Sequence, residues 1–296
     1  MLKNLLAAML LAIALPALAQ KPAKDSILVK DTAEVPYSHF TASLDFVNNY
    51  VWVGRPAKST FPYLTPALSW THKSGAYIGG ALSFLTKADQ SQLDISYLTA
   101  GYDHSFGDFE GGLEINKYWY NKNSQNPKSD INWDLTATGT YPVGPINLSA
   151  SVYAMFSKKA TDYGAMLSAD HSFFFLDENL EVAPTLMMIA GSTKYLGKNF
   201  FRHFAPPNQN GVTYDVTGDL SDASRFKVLD LELSVPVSYY FNNFTFYFAP
   251  TVAFPLNPAT ATIQITPSNG PPRPPRQVTE KLNNVFFFSL GVEYEF

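Results

Sequence analysis

Cysteine is absent from the 296 residues. The chain therefore has no disulfide for stability and no thiolate for metal or nucleophilic chemistry. Charge is also scarce. Asp, Glu, Lys and Arg make up 16% of residues, where about a quarter is usual in a soluble domain. The formal net charge of −4 argues against a nucleic-acid surface. After Gln20 no run of about 18 apolar residues occurs, so no segment reads as a transmembrane helix. No CxxC, HExxH, P-loop or dinucleotide fingerprint is found. These absences leave no cofactor and no metal expected.

Rings are what the chain has in plenty, with aromatics at 15%. Its first residues, MLKNLLAAMLLAIALPALAQ, read as a secretory signal peptide over 1–19. Lys3 gives the positive start, Leu5 to Leu15 the apolar stretch, and Ala17-Leu18-Ala19 the small-residue cleavage site. The apolar run is short for a membrane anchor. Residues 20–37 are polar and aperiodic, a periplasmic lead-in. The remaining 38–296 form one region.

From Ser38 onward the dominant period is two, the period of strands. Twelve segments are long enough to cross a bilayer as tilted strands, which takes about 9–11 residues. They are 38–53, 63–72, 76–86, 92–105, 108–121, 130–141, 145–157, 161–175, 179–194, 225–241, 244–256 and 282–296. Among the clearest apolar rows are Leu93/Ile95/Tyr97, Ile131/Trp133/Leu135 and Leu229/Leu231/Leu233. Tight turns at Lys73-Ser74-Gly75, Ser105-Phe106-Gly107, Pro142-Val143-Gly144, Asp177-Glu178 and Asn242-Asn243 alternate with mostly longer links. The alternation predicts an all-β fold, a transmembrane antiparallel up-and-down β-barrel with short periplasmic turns and longer outward loops. Two loops are long. Loop 195–224 reads as a surface loop, with inward folding as the alternative. Loop 257–281, PSNGPPRPPRQ included, reads as an extended segment kept out of any ladder by its prolines.

Alternation alone does not say which face is wet. A soluble sandwich hides its apolar faces in a core, whereas a membrane barrel turns them to lipid. The segments are long for a sandwich. Aromatics also gather at strand ends as a girdle does: Trp52, Trp70, Tyr118, Trp119, Tyr141, Tyr239 and Phe241. With the apolar rows outward, the inward row holds Asp45, Asp94, Glu110, Glu114, Asp134, Asp170, Asp230, Glu232, Glu293 and Glu295. No Lys or Arg stands on that row. The basic residues, Arg55, Lys122, Lys128 and Arg273 among them, fall in links and at rims. Unpaired carboxylates do not survive in a dry interior, so a wet, acid-lined lumen is expected. Such a lining concentrates cations and repels anions. The alternative is a barrel plugged by loop arginines that pair the acids.

The C-terminal stretch VFFFSLGVEYEF ends its outward row on Tyr294 and Phe296. It resembles the C-terminal signal that the barrel assembly machinery reads in bacterial outer-membrane proteins. Three further stretches resemble the TorF family of porins. FTASLDFVNNYVWVGRP (40–56) is similar to that family's opening strand, with its Tyr-Val-aromatic-Arg-Gly motif. Tyr50, Val51, Trp52 and Gly54 match, while Val53 stands in place of the arginine and Arg55 follows the glycine. LTPALSWTHKSGAYIGGALSF (64–84) is similar to the second hairpin, and LDISYLTAGYDHSFGDFEGGLEINKYWYN (93–121) to the third. The resemblance implies an outer-membrane porin of a Gram-negative bacterium, with no established substrate.

The expected partners are outer-membrane lipid, the assembly machinery and small solutes or ions, and no nucleic acid. The expected function is passive diffusion of small solutes, leaning to cations, without enzyme chemistry. One alternative is a lipid hydrolase or deacylase, since His171-Ser172 resembles the His-Ser pairing of outer-membrane phospholipases, though the rest of that motif is missing. Those two side chains point to opposite faces of one strand, however, and the sequence shows no third group to complete a trio. Asp215, Asp219 and Asp222 lack the calcium-loop pattern.

Overall fold

The computed structural model describes residues 37–57, 60–87, 91–124, 126–158, 160–206 and 211–296. The signal peptide and nearly all of the lead-in lie outside the described residues. In chain order the first strands are β1 (His39–Val47), β2 (Val51–Trp52), β3 (Arg55–Pro56), β4 (Tyr63–Thr71), β5 (Ala76–Leu85), β6 (Gln92–Phe106) and β7 (Phe109–Tyr120). They are followed by β8 (Ile131–Val143), β9 (Ile146–Ser157), β10 (Thr161–Asp170), β11 (Phe173–Phe175), β12 (Leu180–Val182) and β13 (Thr185–Gly191). The helix α1 (Gly197–Phe204) comes next. The rest are β14 (Tyr214–Ser221), β15 (Lys227–Ser234), β16 (Val237–Phe241), β17 (Phe244–Pro255), β18 (Thr260–Pro267), β19 (Arg276–Thr279) and β20 (Val285–Glu295).

Twelve of these close into an antiparallel barrel: β1, β4 to β10, β13, β15, β17 and β20. The seam joins β20 to β1, with Glu295 opposite Thr41 and Leu290 opposite Phe46. Phe40 and Phe296 exchange backbone hydrogen bonds of 3.0 Å at its end. Closure leaves no strand edge in the wall, which a barrel crossing hydrocarbon requires. The outside of the wall is greasy. Leu68 is 52% exposed and Val152 60%, and Ile78, Leu98, Leu113, Leu135, Leu167 and Leu290 are exposed like them. Outward, Phe296 stacks on Phe40 with ring centroids 6.1 Å apart.

Tyr37, where the described residues start, Phe296 and the tight turns sit at one end of the barrel, here called the turn end. Gly75 shows why such turns need glycine. Its φ is +93°, and a Cβ there would stand 1.8 Å from the Asp103 carbonyl oxygen. Near the turn end, segments 161–175, 179–194 and 225–241 are each interrupted, giving β10/β11, β12/β13 and β15/β16. Pro184 and Pro236 stand at two of the interruptions, where they cannot donate to a ladder. Their carbonyls accept from His171 N and Ala183 N instead, at 3.3 and 2.9 Å.

The opposite, loop end departs from the sequence expectations in three ways. Segment 38–53 stops at Val47, and the chain turns inward as a two-residue hairpin, β2 to β3, with Val53 and Gly54 at its tip. Both tip residues have positive φ, +47° and +69°, as a type I′ hairpin requires. Trp52 therefore lies inside the barrel at 6% exposure, and Tyr118 at 7%. Neither is a girdle residue, whereas Trp70, Trp119, Tyr141, Tyr239 and Phe241 are exposed. Among the described residues of segment 195–224, Tyr195 and Leu196 are buried in the barrel core, and α1 and β14 follow. Segment 257–281 does form ladders. β18 pairs with both β14 and β19, and the prolines 271–275 fall in the link between β18 and β19. A second core under this three-stranded cap joins Phe200, Ala259, Ala261, Ile263 and Ile265.

Candidate functional site

The barrel interior changes character along its axis. At the loop end it is filled. Trp52, Val53, Ala57 and Phe61 of the hairpin segment pack with Tyr195 and Leu196. Around them stand Tyr63, Leu85, Ile95, Tyr118, Ile131, Met155, Met166, Met187, Ile189 and Leu229 from the surrounding strands. Val51, Ala253 and Phe287 extend the packing to β17 and β20.

Three of these wall residues belong to rows that alternation assigns to lipid. The structure turns Ile95, Ile131 and Leu229 inward, at 7%, 0% and 0% exposure. A β-bulge causes each reversal. An extra residue enters β6 at Asp94, β8 at Asn132 and β15 at Leu229. One added residue switches the face of everything beyond it. Leu93, Trp133 and Leu231 on the same rows keep the outward face: Leu93 and Trp133 are exposed.

Two basic side chains lock the plug. Arg55 is 3% exposed and Lys128 4%, so both are interior groups and not rim groups. Arg55 donates to the Val53 and Leu229 carbonyls from Nη1 and to the Leu256 and Asn257 carbonyls from Nη2. Its Nε pairs Glu280 at 3.1 Å. One guanidinium thus joins the hairpin, the wall and the cap. The same oxygen of the half-buried Glu280 also accepts from Ala259 N. Lys128 pairs Asp134 at 3.4 Å and stands 4.4 Å over the Trp52 ring. The Tyr195 hydroxyl accepts from Trp52 Nε1 at 3.0 Å, and burial pushes that phenol well above its ordinary pKa, which keeps it neutral.

Polar side chains line the interior from the plug level down to the turn end. Asp134 accepts from Asn116 and Tyr118, and Glu114 from Tyr77 and Asn116. Asp94 accepts from Tyr63 at 2.5 Å and Ser124 at 2.8 Å. Asp45 is bonded by Ser43 and Tyr247, and Asp170 by Asn147. Glu295 accepts from Tyr37 and faces His39. Glu293 lies on the same row as Glu295, opposite Ser43. Asp230 and Glu232 are buried together on β15. Glu110 is exposed, at the mouth. Of the ten acids on the expected inward row, Asp94 and Asp134 belong to the plug level and Asp45, Glu114, Asp170 and Glu293 to the polar half.

Two interior acids escaped the sequence reading. Asp162 is 0% exposed and accepts from Ser192 Oγ, Lys194 N and Tyr195 N, which anchors the inward turn before α1. Continuing the parity of Asp170 back through Gly164 would have found it. Glu181 accepts from Ser172 and Tyr240, each at 2.5 Å. That bond takes Ser172 away from His171, whose Nδ1 meets the Pro145 carbonyl. Asp215 and Asp219 lie along β14 and Asp222 in the turn after it. Among the described residues no group of three His, Asp or Glu side chains has metal-holding geometry.

A closed twelve-stranded wall, apolar outside and polar within, defines an outer-membrane β-barrel. No family model matches the chain and no curated protein matches it. Among solved structures it is similar to the COG4313 outer membrane channel from Pseudomonas putida F1, at 14% identity and TM-score 0.46, over 91% of this chain and 100% of that one. It is similar to a KdgM porin at 12% identity and TM-score 0.42, over 88% and 99%. An anion-selective porin from Comamonas acidovorans aligns at 8% identity and TM-score 0.29, over 88% and 98%.

Proposed function

We propose that the mature chain, beginning near Gln20 after cleavage of residues 1–19, is a porin-like channel for small solutes that prefers cations. Stretches 40–56, 64–84 and 93–121 support kinship with the TorF porins. The observation that carries the reading is the sign of the interior. Among the described residues the buried acids are Asp94, Asp134, Asp162, Glu181, Asp230 and Glu232, against Arg55 and Lys128. Both basic groups are already bound at the plug level. Below them Asp45, Glu114, Asp170 and Glu293 face Ser, Thr, Asn and Tyr side chains. A solute entering from the turn end meets a hydroxyl-rich vestibule of net negative sign, which attracts cations. Passage onward depends on the hairpin plug, so the resting conductance is small.

Planar bilayers under a KCl gradient test this, using the whole chain and a variant with residues 50–61 replaced by a short Gly-Ser link. The expected result is a cation-directed reversal potential that persists when the plug is removed. An anion-directed potential, or silence from both proteins, overturns the proposal. The filled loop end favours a second reading, a closed barrel that works through its cap; silence from both proteins is the result that reading expects.

A further inference from the structure

One charged side chain stands on the lipid-facing surface of the wall. The outward row of β7 runs Phe109, Gly111, Leu113, Ile115, Lys117, Trp119. Among the described residues no other Lys, Arg, Asp or Glu occupies the outward rows of the twelve strands. Lys117 is half-buried, and rings hold its ammonium. Nζ stands 4.5 Å from the Trp133 ring centroid and 5.6 Å from that of Trp119. Trp133 is its cross-strand neighbour on β8. Both rings remain open to the surroundings, Trp119 at 49% exposure and Trp133 at 43%.

The strand sets its depth. Lys117 lies eight positions along β7 from Phe109 at the turn-end rim. At about 3.3 Å per residue and a tilt of about 40°, that is about 20 Å along the membrane normal, in an apolar band about 25 Å tall. The ammonium therefore sits one step inside the loop-end girdle, where a long basic side chain reaches up to headgroups. Ring faces attract the cation without cancelling its charge. No carboxylate pairs it among the described residues, so its three N–H donors are open to an anion. Two polar groups share the place. Ser96, opposite Trp119 on β6, presents a hydroxyl on the same face. Lys158, exposed at the rim, follows two residues after Phe156, which lies opposite Trp133.

A cation at the edge of hydrocarbon is best matched by an anion anchored at the same level, and phosphate is the anion that lipids place there. Lysine binds phosphate as a point charge. Two lysines and a hydroxyl suit a phosphomonoester, which carries nearly two charges, better than a phospholipid diester, which carries one. We propose that Lys117, Trp119, Trp133, Ser96 and Lys158 form a phosphate site for an outer-leaflet glycolipid, the phosphorylated head of lipopolysaccharide. The tight turns mark the periplasmic end, which puts this girdle at the outer leaflet. Lys117 meets the phosphate from below and Lys158 from the rim, while the two indoles fix the Lys117 ammonium and the apolar rows beneath meet the acyl chains. The site lies outside the wall and stands whether or not the lumen conducts; reversal potentials test conduction, and lipid titration tests this site.

The experiment titrates the detergent-solubilised full chain with bisphosphorylated lipid A and reads occupancy by native mass spectrometry. The tightest binding event is expected to weaken by about tenfold or more in Lys117→Met, and by a smaller factor in Lys158→Gln. Lipid A stripped of its phosphates is expected to bind wild type and Lys117→Met equally weakly. Millimolar inorganic phosphate is expected to leave bound lipid A in place. Lys117→Met removes a charge from the lipid face, so without lipid it is expected to unfold at the wild-type temperature or above. It is also expected to lose the extra thermal stability that lipid A gives wild type. Equal lipid A affinity in wild type and Lys117→Met overturns the site. Phosphatidylglycerol binding as tightly as lipid A overturns the glycolipid assignment, and displacement by inorganic phosphate overturns the lipid assignment. Heat-modifiable gel mobility checks folding. If Lys117→Met does not fold, Lys117→Gln and Trp133→Leu carry the residue assignment.

Discussion

The two ends of the same barrel interior follow opposite rules. At the turn end the inward row is Ser, Thr, Asn, Tyr and carboxylate, and every second residue meets lipid. At the loop end the inward row is Tyr, Met, Ile and Leu, and it packs on a hairpin as a soluble core would. The first region resembles a vestibule and the second a stopper. The border is drawn partly by composition, since Met155, Met166, Met187 and Ile189 take over inward rows by regular alternation, and partly by three bulges and one inward-turning hairpin. The physical lesson is that a barrel can carry a core inside its pore if a few extra residues reverse the face of a few side chains.

Removing the stopper is the largest intervention. Replacing residues 50–61 by a Gly-Ser link is expected to raise single-channel conductance several-fold, read in planar bilayers, while an unchanged conductance would mean the filled region is not what limits passage. Next comes its lock. Arg55→Ala leaves the half-buried Glu280 without its counter-charge and the Val53, Leu256 and Asn257 carbonyls without the guanidinium; the loss is expected to fall below the about 3–5 kcal/mol of a fully buried pair. The variant is expected to give flickering, enlarged currents and a lower unfolding temperature. Within the wall, Leu229→Ala opens a cavity against the plug and is expected to cost about 2–5 kcal/mol. Leu231→Ala, two residues on and facing lipid, is expected to cost clearly less in the same denaturation assay; equal losses would erase the difference between the two faces. The smallest effect is electrical. Asp45→Asn combined with Glu293→Gln is expected to move the reversal potential of the plug-deleted channel toward zero without changing stability at the loop end.

Much of this was legible in the sequence, and the illegible part has one cause. The twelve segments, the tight turns and the outward row through Phe286, Leu290, Tyr294 and Phe296 follow from period two. Asp45, Glu114, Asp170 and Glu293 follow from parity carried along unbroken strands. Ile95, Ile131 and Leu229 could not be placed that way. Each alternates correctly with its neighbour, and a bulge leaves no mark in a row of alternating hydrophobics. The Tyr97-Leu98 tandem is the nearest thing to a trace, since two large apolar residues in sequence cannot both face lipid. Trp52 was misread for a related reason: an aromatic near a strand end suits a girdle or a plug equally. Val53 and Gly54 could have tipped that choice, because a glycine-containing pair between two short apolar stretches is a hairpin signal. The prolines of 271–275 suggested a chain without ladders, but they occupy only the link and leave β18 and β19 to pair.

Because the chain has no cysteine, a single introduced thiol reports its own surroundings. The most direct test places one at a time along β8 and measures modification by a charged, water-borne methanethiosulfonate in reconstituted protein. The account predicts reaction at Thr136, Thr138 and Thr140, protection at Leu135, Ala137 and Gly139, and protection at Ile131 despite its matching the outward row. Reaction at Leu135, Ala137 and Gly139 with protection at the threonines would invert the wall and contradict the account.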